Sequence, residues 1–272
     1  MSASSNDRPA ATTNRVKQCF RDGGIALNSY VGLSDPALVE IVGLAGFDAV
    51  TIDLEHMTFD LGVVQQMIVA AEVVGITSVV RVPFGDWHTV LRVLDSGAQG
   101  IQITHVRDGG SAQAAVDAVR YPPLGKRGAL GASRAARFGT VPWDAYVEQA
   151  NREILLVVLI EDVDALDHVE QIASVEGVDL ITVGPLDLAE SMDIHTPDDP
   201  RVYAAIEQVA QQIRSVGNAR LGLPVGHASL SMGIAAAREL GASWVNVSPP
   251  PEVCLRQLLS RTVEDLRREA AA

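Results

Sequence analysis

The chain has 272 residues, of which 47% are hydrophobic and 20% are charged. This length and composition suffice for a substantial core and fit one closed α/β barrel. A formal net charge of −13 argues against a nucleic-acid partner or an anionic membrane surface, because no basic cluster could neutralise phosphates. The two cysteines, Cys19 and Cys254, form no CxxC pair, which favours a reduced cytoplasm.

The first 14 residues are polar and rich in Ser and Ala, and they lack the apolar run of a signal peptide or a transmembrane helix. We predict that residues 1–14 form a flexible lead-in. Beyond them, short apolar runs alternate with longer amphipathic stretches, as expected of strand–helix units around a parallel sheet. Eight strands are predicted in chain order, at Ile25–Gly32, Ala49–Asp53, Ser78–Val82, Gly100–Ile103, Leu155–Ile160, Leu180–Val183, Leu221–Val225 and Trp244–Val247.

The stretches between the strands carry helical patterns, and four of them place a glycine shortly before the next strand, as a helix C-cap does. These glycines are Gly46, Gly97, Gly177 and Gly241. The break from Tyr121 to Pro142 is too long for an ordinary barrel connection and is a candidate functional loop. The sequence therefore predicts an α/β fold, a single (β/α)8 TIM barrel over residues 15–272.

Polar residues that directly follow predicted strands are candidates for chemistry, because the active sites of such barrels lie at the carboxyl ends of the strands. Glu161 follows the fifth strand, and Asp187 lies in a Gly-Pro-Leu-Asp turn after the sixth. Carboxylates at neighbouring strand ends could converge on one cation, and oxygen ligands with open positions suit Mg²⁺ or Mn²⁺. The alternative is that each carboxylate caps the helix that follows it.

Two further strand ends supply basic groups. Arg81 would present its guanidinium at the barrel mouth, where it could bind a carboxylate or stabilise an enolate. The alternative for Arg81 is a salt bridge to Asp53 or Glu55. His56 is the candidate acid–base group, and Asp53 is close enough along the chain to orient its imidazole, although a lone histidine is more often structural.

Short motifs around these strand ends occur in a specific order from about Arg21 to the C-terminus. They are Gly46-Phe47-Asp48, Asp53-Leu54-Glu55-His56, Val80-Arg81, Leu94-Asp95-Ser96-Gly97-Ala98, Arg120-Tyr121-Pro122-Pro123-Leu124-Gly125-Lys126-Arg127-Gly128, Ile160-Glu161, Val175-Glu176-Gly177-Val178-Asp179 and Gly184-Pro185-Leu186-Asp187-Leu188. This series resembles the HpcH/HpaI family of class II pyruvate aldolases, which includes 4-hydroxy-2-oxoheptanedioate aldolase. The resemblance implies a barrel of the phosphoenolpyruvate/pyruvate-domain type.

The resemblance also implies a metal and substrate site. Glu161 and Asp187 resemble the two protein ligands of a divalent metal, Mg²⁺, Mn²⁺ or Co²⁺. Arg81 resembles the residue that holds the oxygens of pyruvate. The backbone N–H groups of Leu186 and Asp187, at the start of a short helix, would bind a substrate carboxylate as helix N-termini bind anions.

The acid–base residues and the assembly follow from the same resemblance. His56 resembles the general base and Asp53 resembles its orienting partner. Asp95 resembles a carboxylate that approaches the same histidine from a neighbouring subunit. The family further implies a homo-oligomer, a hexamer assembled from dimers, in which the last helix, here Pro250 to Arg268, packs on a neighbouring barrel.

The implied activity is a divalent-metal-dependent aldolase that works on 4-hydroxy-2-oxo acids, in aromatic or sugar-acid catabolism. Pyruvate loses a methyl proton, and the enolate attacks an aldehyde; cleavage is the reverse. No Schiff-base lysine is needed, and Lys17 and Lys126 are the only lysines. The alternatives are an oxaloacetate decarboxylase or a citrate-synthase-like condensing enzyme that uses the same site, or a catalytically silent scaffold barrel.

Several residues depart from the family's pattern and put the substrate in doubt. Thr104 and His105 stand where a proline and a methionine are usual, Leu159 stands where a glutamine is common, and Leu186 is bulkier than the usual small residue. His105 and His227 follow the fourth and seventh strands, but the sequence names no partner for either.

Overall fold

The computed structural model describes residues 13–271, and within them eight parallel strands form one closed barrel. Each strand pairs with the next along the chain, and the last pairs with the first. The strands are β1 (Ala26–Val31), β2 (Ala49–Asp53), β3 (Thr77–Val82), β4 (Gly100–Ile103), β5 (Leu155–Ile160), β6 (Leu180–Val183), β7 (Arg220–Val225) and β8 (Ala242–Val247). The predicted single (β/α)8 barrel is therefore confirmed, with every strand within two residues of its expected bounds.

Most of the helices surround the barrel and return the chain from the carboxyl end of one strand to the start of the next, whereas the first precedes β1 and the last follows β8. They are α1 (Arg15–Arg21), α2 (Pro36–Leu44), α3 (Leu61–Val74), α4 (Trp87–Asp95), α5 (Gly109–Val119), α6 (Trp143–Glu153), α7 (Val169–Ser174), α8 (Pro185–Ser191), α9 (Pro200–Val216), α10 (Ile234–Glu239) and α11 (Pro251–Ala270). The four predicted C-cap glycines have φ between 89° and 103°, a backbone region that glycine adopts without steric cost. Among the described helices, none is long and apolar enough to cross a bilayer.

Two apolar layers stabilise the barrel. The larger lies between the strands and the surrounding helices, and the smaller fills the barrel interior at the amino ends of the strands. The smaller layer consists of Val16, Phe20, Ala26, Ala49, Val79, Leu155, Val157, Leu180 and Trp244. Val16 and Phe20 belong to α1, so this helix closes the amino end of the barrel. The amino end is therefore packed, which leaves the carboxyl end as the place for a site.

The predicted lead-in lies almost wholly outside the described residues. Its last residue, Asn14, is buried and caps α1 by accepting a hydrogen bond from the N–H of Val16 at 3.0 Å. The Asn14 amide donates to the carbonyls of Gln99 and Glu153 at 2.9 and 3.0 Å. Asn14 is therefore part of the packed barrel, one residue before the expected boundary.

Candidate active site

An Arg–Asp pair lies at the carboxyl ends of β2 and β3. Asp53 and Arg81 are register neighbours, and Nε and Nη2 of Arg81 donate to the two Asp53 oxygens at 2.9 and 2.5 Å. Burial disfavours the Asp53 carboxylate, but the hydrogen bonds and charge of Arg81 outweigh burial and lower the pKa of Asp53. The salt bridge considered from the sequence is thus present, and it fixes the guanidinium plane at the barrel mouth.

Tyr30 and two buried polar residues lie beneath Arg81. The guanidinium lies over the ring of Tyr30, with Cζ 5.0 Å from the ring centroid. The Tyr30 hydroxyl donates to Oε1 of Gln102 at 2.8 Å, and Nε2 of Gln102 donates to the hydroxyl of Thr182 at 3.2 Å. Burial raises the pKa of Tyr30 to about 12, so its hydroxyl stays protonated and donates. Arg81 is therefore held both by its ion pair and by stacking.

Glu55 lies between the basic groups of the site. Its Oε2 is 3.4 Å from Nη1 of Arg81 and 3.6 Å from Nε2 of His56, and its Oε1 is 3.7 Å from Nε2 of His105. Asp53 contacts His56 through the backbone N–H, at 3.3 Å. The carboxylate that faces the His56 imidazole is therefore Glu55, whereas both oxygens of Asp53, the expected orienting partner, are bonded to Arg81.

Glu161 follows β5 and is almost completely buried, with 2% of its side chain exposed. Its Oε1 accepts a hydrogen bond from the N–H of His105 at 2.9 Å. Burial raises the pKa of Glu161 to about 7, and the charges of Glu55 and Asp187 act in the same direction. A Cβ on Gly184 would lie 2.8 Å from Oε2 of Glu161, so the glycine of the Gly-Pro-Leu-Asp turn leaves room for this carboxylate.

His105 adds an imidazole to the site. Its Nδ1 is 3.1 Å from Oδ2 of Asp162 and 3.6 Å from Oε1 of Glu161. Arg107 donates to both oxygens of Asp162, at 2.9 and 3.1 Å. Partial burial disfavours the imidazolium, but the hydrogen bond of Asp162 and the nearby carboxylates outweigh burial and raise the pKa of His105. The sequence-based prediction includes neither His105 nor Glu55, although both follow strand ends.

The donor set of this site fits a divalent cation. Glu55, His105 and Glu161 each offer a ligand atom, and these atoms all lie within 4.8 Å of one another. A buried carboxylate that faces two other carboxylates is electrostatically unfavourable, and a cation would compensate it. The carboxylate oxygens suit Mg²⁺ or Mn²⁺, and the imidazole beside them suits a first-row transition ion.

The turn after β6 brings Asp187 to the edge of this cluster. Asp187 is exposed in the first turn of α8, outside the group of three ligand atoms, but its charge acts on both Glu161 and His227. Burial lowers the pKa of His227, against the effect of Asp187. Leu186 is half exposed in the same turn, where helical N–H groups have no intrahelical partner.

Asp95 lies away from the other candidates. It ends α4, which leads into the amino end of β4, whereas His56 lies at the opposite end of the barrel. Asp95 pairs with the buried Arg127, whose Nη2 donates to Oδ1 at 2.8 Å. The single chain therefore does not bring Asp95 to His56, and a contact between them would need a second subunit.

Two departures from the family's pattern lie next to the cluster. Leu159 is buried and shares the inward parity of Leu155 and Val157, so it forms an apolar surface directly below Glu161. Thr104 is fully buried, and its hydroxyl has no hydrogen-bond partner within residues 13–271. Leu159 makes the surroundings of Glu161 less polar on the side of β5, whereas Thr104 adds a buried hydroxyl next to His105.

A closed (β/α)8 barrel with an Arg–Asp pair, carboxylates and imidazoles at the carboxyl ends of its strands defines a barrel enzyme. The sequence profile of the HpcH/HpaI aldolase/citrate lyase family matches residues 27–242, and the chain belongs to this family. It is accordingly an aldolase, a carbon–carbon lyase.

Three similar proteins illustrate the range of the family. A hydroxypyruvate/pyruvate aldolase of Pseudomonas aeruginosa is 36% identical over 251 residues, which cover 90% of each chain. A 4-hydroxy-2-oxo-heptane-1,7-dioate aldolase of Shigella sonnei is 35% identical over 236 residues, 86% of this chain and 88% of that protein. The crystal structure of citrate synthase SbnG has a TM-score of 0.82 and 26% identity, covering 94% of this chain and 98% of that one.

Proposed function

We propose that the protein is a divalent-metal-dependent pyruvate aldolase that forms or cleaves 4-hydroxy-2-oxo acids through a pyruvate enolate and an aldehyde. The observation that carries this proposal is the convergence of Arg81 with Glu55, His105 and Glu161 at one end of the barrel. The names of the pyruvate and 4-hydroxy-2-oxo acid aldolases among the relatives support the substrate class. A role in aromatic or sugar-acid catabolism would follow from such substrates.

The proposed metal ligands are Glu161 and Asp187, with Mg²⁺, Mn²⁺ or Co²⁺ as the cation. When bound, the cation would polarise the carbonyl group of the 2-oxo acid and stabilise the negative charge of the enolate. The burial of Glu161 and the proximity of the Asp187 charge support this assignment.

The chain's own residues would then orient the substrate and move its protons. Arg81, fixed by Asp53, hydrogen-bonds the developing enolate oxygen and so stabilises its charge. The N–H groups of Leu186 and Asp187 bind the substrate carboxylate. His56 accepts a methyl proton of pyruvate, the methylene carbon attacks the aldehyde carbon, and the aldehyde oxygen takes up a proton. Cleavage follows the same steps in reverse.

Proton exchange tests this proposal. In D₂O with Mg²⁺, the protein is expected to remove the methyl proton signal of pyruvate in NMR spectra, and EDTA should stop the loss. His56→Ala should slow this exchange by about 10²- to 10⁴-fold, the usual contribution of a general base, without weakening metal binding. The control is His195→Ala, which alters another exposed histidine. Wild-type exchange in His56→Ala would exclude His56 as the base.

The resemblance in fold to citrate synthase SbnG keeps a condensing enzyme or an oxaloacetate decarboxylase as the second candidate. The apolar Leu159 below Glu161 favours a substrate that differs from that of the usual aldolases. Trapping with an aldehyde would give a 4-hydroxy-2-oxo acid if the protein is an aldolase, whereas a decarboxylase would release CO₂ from oxaloacetate. A silent scaffold would give neither product and no proton exchange.

A homo-oligomer, a hexamer by family resemblance, is the proposed assembly, with α11 packed on a neighbouring barrel. Within the described single chain, α11 has no buried residue and shows apolar side chains at helical spacing. These exposed side chains are Leu255, Leu258, Leu259, Val263 and Leu266. In the same assembly the neighbour's copy of Asp95 would approach His56.

The proposed location is the cytoplasm, where the free thiols of Cys19 and Cys254 stay reduced.

Charge on the apolar stripe of α11 should dissociate this assembly. Leu259→Glu combined with Leu266→Glu is expected to reduce the particle mass in size-exclusion chromatography with light scattering, because the interface would bury two unpaired carboxylates. The control, Arg261→Glu, changes an exposed polar residue of the same helix and should leave the mass unchanged. A wild-type protein that already elutes as a monomer would contradict the proposed oligomer.

A further inference from the structure

We propose that His105 is a nitrogen ligand of the divalent cation and shifts the metal preference of this chain from Mg²⁺ towards Mn²⁺ and Co²⁺. The inference rests on the proposed metal dependence and adds a ligand to the proposed carboxylate pair. Imidazole suits transition ions, whereas Mg²⁺ favours oxygen ligands, so an added nitrogen would change selectivity as well as affinity.

The imidazole of His105 lies between two carboxylates of the cluster. Nε2 of His105 is 3.7 Å from Oε1 of Glu55, and the ligand atoms that His105, Glu55 and Glu161 offer all lie within 4.8 Å of one another. Adjacent ligand atoms around a six-coordinate ion lie about 3 Å apart when each is about 2.1 Å from the metal. The three groups are thus close to the separation that one shared ion requires, and small side-chain rotations would complete the approach.

The orientation of the His105 ring also suits a metal ligand. Metal-bound histidines usually donate their other ring N–H to a carboxylate, which fixes the tautomer and directs the free nitrogen at the ion. Here Nδ1 lies 3.1 Å from Asp162, and Asp162 is held by two hydrogen bonds from Arg107. With the proton on Nδ1, the lone pair is on Nε2, the nitrogen that faces Glu55.

The backbone of His105 links the ring to Glu161. His105 has φ of 53°, a left-handed conformation that is uncommon outside glycine and is found more often at functional sites. This conformation directs the N–H of His105 to Oε1 of Glu161, at 2.9 Å. The same residue therefore contacts the buried carboxylate with its backbone and approaches it with its side chain, which ties the ring position to that of Glu161.

A plain ion pair is the competing explanation. In that case, the imidazolium of His105 would neutralise Glu161 and Asp162 in the absence of a metal, and a bound cation would displace it. The two explanations differ in one measurable property, a nitrogen atom bonded to the metal.

Pulsed electron paramagnetic resonance of bound Mn²⁺ tests for that nitrogen. The wild-type protein is expected to show a ¹⁴N coupling on Mn²⁺, and ¹⁵N-histidine labelling should convert it to a ¹⁵N coupling without any mutation. His105→Asn should remove the coupling and weaken Mn²⁺ binding by about 10- to 100-fold, with a smaller loss for Mg²⁺. Asn is suited to the positive φ, so the backbone is preserved. The matched control, His56→Ala, removes the other imidazole near Glu55 and should keep the coupling.

The outcomes separate the two proposals. Bound Mn²⁺ without a histidine nitrogen coupling, or a coupling that persists in His105→Asn, overturns the role of His105 and leaves the metal dependence in place. A wild-type protein that binds neither Mn²⁺ nor Mg²⁺ overturns both.

Discussion

Glu161→Gln is expected to weaken Mn²⁺ binding by more than about 100-fold, because even the indirect partners of metal ligands typically contribute 10- to 100-fold. Metal-dependent exchange of the pyruvate methyl protons should disappear together with Mn²⁺ binding. Calorimetric titration with Mn²⁺ and the NMR assay measure the two effects. Glu153→Gln is the matched control, since Glu153 is another largely buried carboxylate but lies at the amino end of the barrel, next to Asn14. Wild-type affinity in Glu161→Gln would remove Glu161 from the ligand set.

The same substitution should stabilise the metal-free protein. Burial raises the pKa of Glu161 from 4.5 to about 7, so the folded state disfavours the carboxylate more than the unfolded state does. The contribution of Glu161 to the free energy of unfolding is therefore fully present below pH 4.5 and is lost as the pH rises through about 7. At pH 8 in EDTA, Glu161→Gln should raise the free energy of unfolding by up to about 3 kcal/mol, and by less at pH 5. Urea unfolding measures the difference in the free energy of unfolding. A variant less stable than the wild type at pH 8 would contradict the view that the buried Glu161 carboxylate destabilises the metal-free protein.

The strand ends of this site are predictable from sequence, because apolar runs define the strands and polar turn residues define their ends. Leu155–Ile160 lies in a continuous apolar run over residues 154–160 that is bounded by Glu153 and Glu161, which is typical of a strand buried on both faces. Side chains at the carboxyl ends of parallel strands lie at one edge of the sheet, so Asp53, Arg81 and Glu161 could be placed at the barrel mouth from the sequence alone.

Glu55 and His105 could not be placed in this way, because each lies two residues beyond its strand. Side chains there no longer alternate between the two faces of the sheet. Their directions depend on loop backbone angles, such as the φ of 53° at His105, and sequence patterns do not specify these angles. Asp95 is a different case. Its proposed contact with His56 is between subunits, and no pattern within one chain encodes the geometry of an interface.

Arg81→Lys should separate the chemistry of the site from its stability. Lysine keeps the positive charge but loses the planar fork that binds both oxygens of Asp53 and stacks on Tyr30. Proton exchange should fall by about 10²- to 10³-fold, the usual effect of removing an oriented donor to an oxyanion. Mn²⁺ affinity should remain, because the proposed ligands are carboxylates and an imidazole. The free energy of unfolding should fall by about 1–3 kcal/mol, since Asp53 loses a hydrogen bond in a buried position.

Arg120→Lys is the control that separates a loss of activity in Arg81→Lys from a loss of stability. Arg120 is buried, and its Nη2 donates to Asp179 at 2.7 Å, next to the amino ends of β5 and β6. Its replacement should lower stability by a similar amount, because the same kind of ion pair is broken. Exchange per folded molecule should stay at the wild-type rate, because Arg120 is at the opposite end of the barrel from Arg81. Equal loss of exchange in both variants would mean that instability, not the position of the Arg81 guanidinium, accounts for the effect.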